Sequence, residues 1–247
     1  MLLTRLLRAL WFLCLAAFTS YYCCLSDTGN TMTELLNFLT DRVSYHVHEL
    51  TQPAPNKTQL HEMLRAAMAT PDHGNLTPWH FVIIEQQQIS KFIDYLRTAW
   101  LASDEQVDPQ QAKRLANYLE QAPCMVLVSA DIKSHKAVSD QDQLFSAVAC
   151  CQNILLAADA TGFGGVWYST DAVELPNVRH ILGLEENHSP VGFLVLGTPT
   201  NTRAKKRKNP QQFTYEWLGS NQLQRFEPDP EQTNQPNISA LKEINND

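Results

Sequence analysis

Apolar positions along the chain fall into short blocks whose spacing alternates between helical and strand-like. Leu60, Met63, Leu64 and Ala67 recur at i, i+3, i+4 and i+7, which is one face of a helix. That helix must stop near Thr70, because Pro71 disfavours helical geometry in the residue before it. His80-Phe81-Val82-Ile83-Ile84 follows as a strand-like run, and Ile89, Phe92, Ile93 and Leu96 mark a second helix. Cys124 to Val128, just after Pro123, predicts a second strand. Residues 142–161 are apolar on most sides, so a buried helix is expected there, with Gly162 supplying a left-handed residue at its end. Val166-Trp167-Tyr168 and Val191 to Leu196 predict two further strands, the last bounded by Pro190 and Gly197. The alternation argues for a mixed α/β or α+β domain. The form expected here is α+β, a central, mostly antiparallel sheet wrapped by helices.

The ends have a different texture. Arg5 and Arg8 precede a run from Ala9 to Ser26 that is apolar except for Thr19, Ser20 and Ser26. Its length is at the lower edge of a membrane span, about 18 residues. Three readings stand: an over-long gene start with Met32 as the real initiator, a signal anchor, and a cleaved signal. Thr33 is the N-cap expected for a helix beginning after Met32. Residues 220–247 are rich in Asn, Gln, Pro and acid and predict a disordered tail. The expected organisation is therefore an extension over residues 1–31, one domain over 32–219 and a tail over 220–247.

Composition narrows the function. The 247 residues carry a net charge of −7, which argues against a nucleic-acid partner. The six cysteines, at 14, 23, 24, 124, 150 and 151, form no C-x-x-C pair, so neither zinc spacing nor a disulfide framework is expected. Cys150 and Cys151 fall in the buried helix and are expected to pack as small apolar side chains. Phosphate-loop, dinucleotide-fold, nucleophile-elbow and H-E-x-x-H motifs are all missing from the sequence. Membrane contact is expected only if residues 9–26 are a real anchor.

Three stretches carry candidate chemistry. Arg42-Val43-Ser44 offers a planar cation beside a small hydroxyl, a grip suited to phosphate. The segment from Thr70 to His80 crowds turn formers and hydrogen-bonding side chains between a helix and a strand. Gly162-Phe163-Gly164-Gly165-Val166-Trp167-Tyr168-Ser169 puts three glycines within four residues, where a flat ligand could come against the backbone.

Taken in order, these stretches resemble the FMN-dependent nitroreductase family, and within it the compact bacterial NAD(P)H nitroreductases. The resemblance rests on Arg42-Val43-Ser44, on Ala66-Ala67-Met68-Ala69-Thr70-Pro71-Asp72-His73 leading to Pro78-Trp79-His80-Phe81, on Gly162 to Trp167, and on Val191 to Pro199. It covers residues 34–216. It implies a homodimer with FMN shared between subunits. It further implies that Arg42, Val43 and Ser44 bind the FMN phosphate and ribityl region, and that Ala69 and His73 reach the FMN of the partner subunit. Trp167, Tyr168 and Ser169 would line the flavin, with the backbone at Gly164 and Gly165 near its N5. A nicotinamide nucleotide would lie on Ala157, Ala158, Asp159, Ala160, Thr161 and Gly162. No side-chain acid or nucleophile is required, because the flavin carries the chemistry. Hydride would pass from NAD(P)H through the flavin to a nitroaromatic, a quinone or a similar acceptor.

The sequence departs from the family pattern at Val43, which replaces an arginine, and at Ala69, where a basic side chain can occur. Lys205, Lys206 and Arg207 are candidates to restore the lost charge. A flavin-binding protein without turnover, a dehalogenase and a flavin-fragmenting enzyme stay open as alternatives.

Overall fold

The computed structural model describes residues 28–102, 109–169 and 171–229. The apolar run 9–26 and most of the expected tail lie outside them. Two compact units are present: residues 42–204, and a second built from residues 28–41 and 205–229 among those described.

Residues 42–204 hold a five-stranded sheet with the path β1 (Leu50–Thr51), β5 (His188–Pro199), β3 (Cys124–Asp131) and β2 (His80–Glu85), while β4 (Gly164–Tyr168) also pairs with β5. Every pairing is antiparallel. Successive strand residues point to opposite faces, and here both faces are covered. Met125, Leu127, Phe193 and Val195 join a core with α3 (Gln86–Leu101), α4 (Pro109–Leu119) and α6 (Pro176–Ile181). Cys124, Val126, Val128, Leu194 and Leu196 join a second core with α2 (Lys57–Ala67) and α5 (Asp140–Ala160). This is why β3 and β5 read as unbroken apolar runs in an antiparallel sheet.

Helix α5 organises the second core. Ser139 caps it: its hydroxyl accepts from Asp142 N–H at 3.1 Å, and the Asp142 carboxylate accepts from Ser139 N–H at 3.3 Å. The far end closes at Gly162, with φ +83°, where Phe163 N–H donates to Ala158 O at 2.9 Å. Among the described residues α5 is the one helix long and apolar enough to cross a membrane, yet Ala147, Cys150, Cys151, Ile154 and Ala158 are all buried in the protein. Burial pushes the Cys151 thiol up to about 12 and also raises Cys150, so both pack as apolar groups.

The second unit differs from expectation. Helix α1 spans Thr28–Asp41 and starts four residues ahead of Met32, so Thr33 is no N-cap. Strands β6 (Tyr215–Gly219) and β7 (Gln222–Arg225) form a hairpin that runs straight through the expected 219/220 boundary. Its turn is made by Gly219 and Asn221, both at positive φ. The composition is tail-like, but backbone pairing and the Arg225 guanidinium, 5.2 Å from the Tyr215 ring, order the segment.

Candidate functional site

The phosphate-grip and glycine motifs meet on one strand. Tyr45 N–H donates to Gly165 O at 3.2 Å, which lays residues 42–45 along the start of β4. Ser44 is exposed. Its backbone oxygen is 3.5 Å from Nη1 of Arg203, which also donates to Glu49 Oε2 at 2.7 Å. Glu49 is held below its ordinary carboxylate range, first by the hydrogen bond it accepts from His46 N–H and then by Arg203. On the last turn of α5, burial raises the Asp159 carboxyl, against the opposing pull of Arg42.

The sequence expectations are modified at three places. Val43 is only 7% exposed and belongs to the core shared with α3 and α4. Its side chain therefore faces apolar neighbours, and only its backbone is available to a phosphate. Gly164 and Gly165 are buried in the β4–β5 ladder and leave no gap of their own for a flat ligand. A Cβ at Gly164 would stand 2.6 Å from Tyr45, and one at Gly165 would stand 2.8 Å from Leu155 and 2.9 Å from Leu196. The fold itself requires these glycines. In the expected nicotinamide stretch, Ala158 is fully buried, Ala157 and Asp159 are half-buried, and Ala160, Thr161 and Gly162 are exposed.

The end of β4 offers an aromatic surface. Trp167 is 38% exposed, and its indole N–H donates to Val191 O at 3.2 Å, which fixes the ring. Tyr168 is half-buried with its ring 5.6 Å from that of Tyr118, and burial raises its phenol. Ser169 beside it is exposed.

Ala69 and His73 lie elsewhere. The loop after α2 is pinned to the first half of α5 by Ser146 Oγ donating to Pro71 O at 2.8 Å, and Thr70 Oγ1 is 3.2 Å from Cys150 Sγ. Asp72 folds the loop by accepting from Leu76 and Thr77 N–H. His73 Nδ1 is 3.9 Å from the Asp142 carboxylate. Asp142 and Asp159 are 17 positions apart on α5, about 25 Å at a rise of 1.5 Å per residue. Within one chain His73 and Arg42 thus sit at opposite ends of that helix. In the other unit, Arg207 donates to Thr40 O at 2.9 Å.

A sheet covered on both faces by helices, with residues 42–45 laid along a buried glycine strand, is the architecture of a known family. Residues 47–198 match the Nitroreductase family, and the chain belongs to that family. It is 36% identical over 166 residues, 67% of this chain and 88% of the relative, to the Escherichia coli (strain K12) protein named "Putative NAD(P)H nitroreductase YdjA". A nitroreductase-like family protein from Bacillus cereus shares the fold with a TM-score of 0.64 at 22% identity, covering 74% of this chain and 96% of that one. A nitroreductase with bound FMN from Desulfitobacterium hafniense DCB-2 shares it with a TM-score of 0.55 at 18% identity, over 74% of this chain and 97% of that one.

Proposed function

We propose that the protein is an FMN-dependent oxidoreductase that takes a hydride from NAD(P)H and delivers electrons to a small acceptor such as a nitroaromatic or a quinone. The observation that carries this reading is the Tyr45–Gly165 contact, which brings the Arg42-to-Ser44 grip beside the strand that ends in Trp167. The residues fit FMN. Arginines at 42 and 203 flank an exposed serine, as a phosphate would need, and the exposed indole two residues beyond Gly165 suits a flat ring. When bound, the flavin supplies the hydride and electron chemistry. The chain's own part is to hold and orient it. Arg42 and Ser44 would engage the phosphate end. Trp167, fixed by Val191 O, would pack near the ring, and Ser169 would lie at its edge. Ala160, Thr161 and Gly162, the exposed part of the α5 terminus, would meet the nicotinamide nucleotide.

We read the active form as a homodimer with each flavin shared between chains. Two observations support this. The distance of about 25 Å along α5 lets His73 serve a flavin other than the one held by Arg42 of its own chain. On the second unit, Leu35, Leu36 and Leu39 of α1 and Trp217 of β6 are exposed, and Trp217 is 74% exposed. An isolated helix of this length is marginal in water, so α1 needs apolar cover.

The purified protein should be yellow, with flavin absorbance near one per chain, and should oxidise NAD(P)H when a nitro acceptor is added. A colourless protein that binds no added flavin would overturn the proposal. Flavin binding without NAD(P)H oxidation would favour the non-turnover reading, for which valine at 43 in place of an arginine is the supporting feature. The shared site is tested by mixing Arg42→Glu chains with His73→Ala chains. About half of a random mixture is heterodimer, and each heterodimer carries one site with both lesions and one with neither. Activity should recover toward about a quarter of the parent. No recovery from a verified heterodimer would remove the shared site.

A further inference from the structure

Strand β5 carries one residue more than β3 can match. Val128 of β3 faces Gly192, but the next residue, Ser129, faces Pro190, so Val191 is left over as a bulge. On the other side of β5, β4 keeps register as far as Tyr168 opposite Phe193 and pairs no further. Val191 lies past the end of that ladder. Its side chain packs against the second core, and its carbonyl accepts the Trp167 indole N–H at 3.2 Å. The indole reaches that carbonyl by lying close over Gly192. A Cβ at 192 would stand 2.7 Å from Trp167 Nε1 and 2.8 Å from Tyr168 O, and the residue has φ +139°. Glycine is thus required here twice, by the backbone and by the indole. Because the indole N–H is the one polar group of a tryptophan side chain, what the 38% exposed Trp167 presents outward is ring carbon.

We infer that Gly192, with the Val191 bulge, is the positioning residue for Trp167, holding the indole where it packs on the bound flavin. Bulges recur beside active sites, where they re-aim a side chain. The inference rests on the flavin reading above and adds to it the element that sets the ring. It also gives a function to residues that the sequence suggested only as the start of a buried strand.

The test is a titration of the full-length, flavin-stripped protein with FMN, read by the flavin's own emission. The parent should quench bound FMN, because an indole packed on the ring quenches its fluorescence. Gly192→Ala and Trp167→Ala should each weaken FMN binding by about threefold to tenfold, the worth of one aromatic contact, and leave the bound flavin brighter. The double variant should bind and emit like either single one, because both lesions remove the same contact. Additive losses of affinity, or a Gly192→Ala protein that quenches FMN as the parent does, would overturn the positioning role and leave the flavin reading in place. If Gly192→Ala does not fold, hydrogen exchange of the indole N–H groups in the parent decides, with Trp167→Ala assigning the signal by NMR. The Trp167 indole should exchange more slowly than that of Trp217, which is 74% exposed. Equal exchange would show that Val191 does not hold the ring and would likewise overturn the role. A parent that binds no flavin would overturn both the role and the flavin reading.

Discussion

The N-terminal end of α5 is closed by side-chain hydrogen bonds, whereas its C-terminal end leaves backbone exposed. At the first end Ser139 and Asp142 cap each other, and Gln143, 1% exposed, bridges both backbone groups of Lys133 at 2.8 Å. Ser146 ties down Pro71. At the second end Thr161 Oγ1 donates to Ala157 O and Ala158 O, Gly162 turns the chain, and the half-buried Asp159 carboxyl is raised by burial against the pull of Arg42. One end satisfies its polar groups internally and braces the fold. The other leaves exposed backbone and charge, and there the candidate ligand surface lies. If the proposed site is right, the same helix braces the fold from one terminus and presents the ligand surface from the other, so mutations at the two ends should separate in what they disturb.

The largest effect is expected at the braced end. Gln143→Leu keeps the volume but orphans the Lys133 N–H and C=O, and each unmet group costs about 1–3 kcal/mol. A loss of about 2–4 kcal/mol should appear as a lower urea midpoint with an unchanged m-value. A shift under about 0.5 kcal/mol would show that water replaces the amide and that the brace is not internal. Next comes the buried strand that leads away from the open end. Gly165→Ala would press a methyl against Leu155 and Leu196 and should cost about 1–3 kcal/mol. If this variant melts like the parent, the glycine is not there for packing. Ser139→Ala removes the α5 cap and should cost about 1 kcal/mol with flavin affinity unchanged. A change in flavin binding without a change in stability would erase the distinction between the two ends.

How far the sequence foretold this molecule depends on where each residue finds its partners. Strands β3 and β5 were legible because a run such as Cys124 to Val128 is apolar on both parities and bounded by Pro123. Helix α4 was not read, although Leu115, Tyr118 and Leu119 make an i, i+3, i+4 stripe, because Lys113, Arg114 and Asn117 dilute it. Helix α6 has only six residues, too few for a period to show. The β6–β7 hairpin was mistaken for tail because its polar composition hides an ordering that comes from backbone pairing. In the candidate site, the motif residues Arg42, Ser44 and Trp167 could be picked out one by one. Their surroundings could not. Glu49 meets Arg203 across 154 positions, and no spacing rule reports that. The requirement for glycine at 164 and 165 was visible, but the sequence suggested a ligand where the structure supplies Tyr45, Leu155 and Leu196.

The smallest effect expected is a pH dependence on the braced side. His80 on β2 and His188 on β5 stack across β3 with ring centroids 4.5 Å apart, and His80 Nε2 is buried with no hydrogen-bond partner among the described residues. Burial depresses the His80 imidazole, and the neighbouring His188 depresses it further, against Asp131 and Glu185. Asp131 is shared out: Asn187 Nδ2 donates to its Oδ1 at 2.7 Å, His188 Nε2 is 3.8 Å away, and Lys133 Nζ lies 3.8 Å from its other oxygen. A base whose folded value lies below its unfolded value of about 6.5 takes up its proton more readily when unfolded. The stability due to neutral His80 is therefore fully present above about pH 6.5 and drains away as pH falls from there toward the depressed folded value. Thermal melts between about pH 7.5 and 5 should show this decline, and His80→Gln, which cannot take up a proton, should flatten it. Gln143→Leu should lower the whole curve without changing that slope, because it removes hydrogen bonds that do not titrate. A parent curve that stays level across the window would show that burial of His80 carries no linked titration, and a His80→Gln curve as steep as the parent would place the proton-sensitive group somewhere other than the β2–β5 stack.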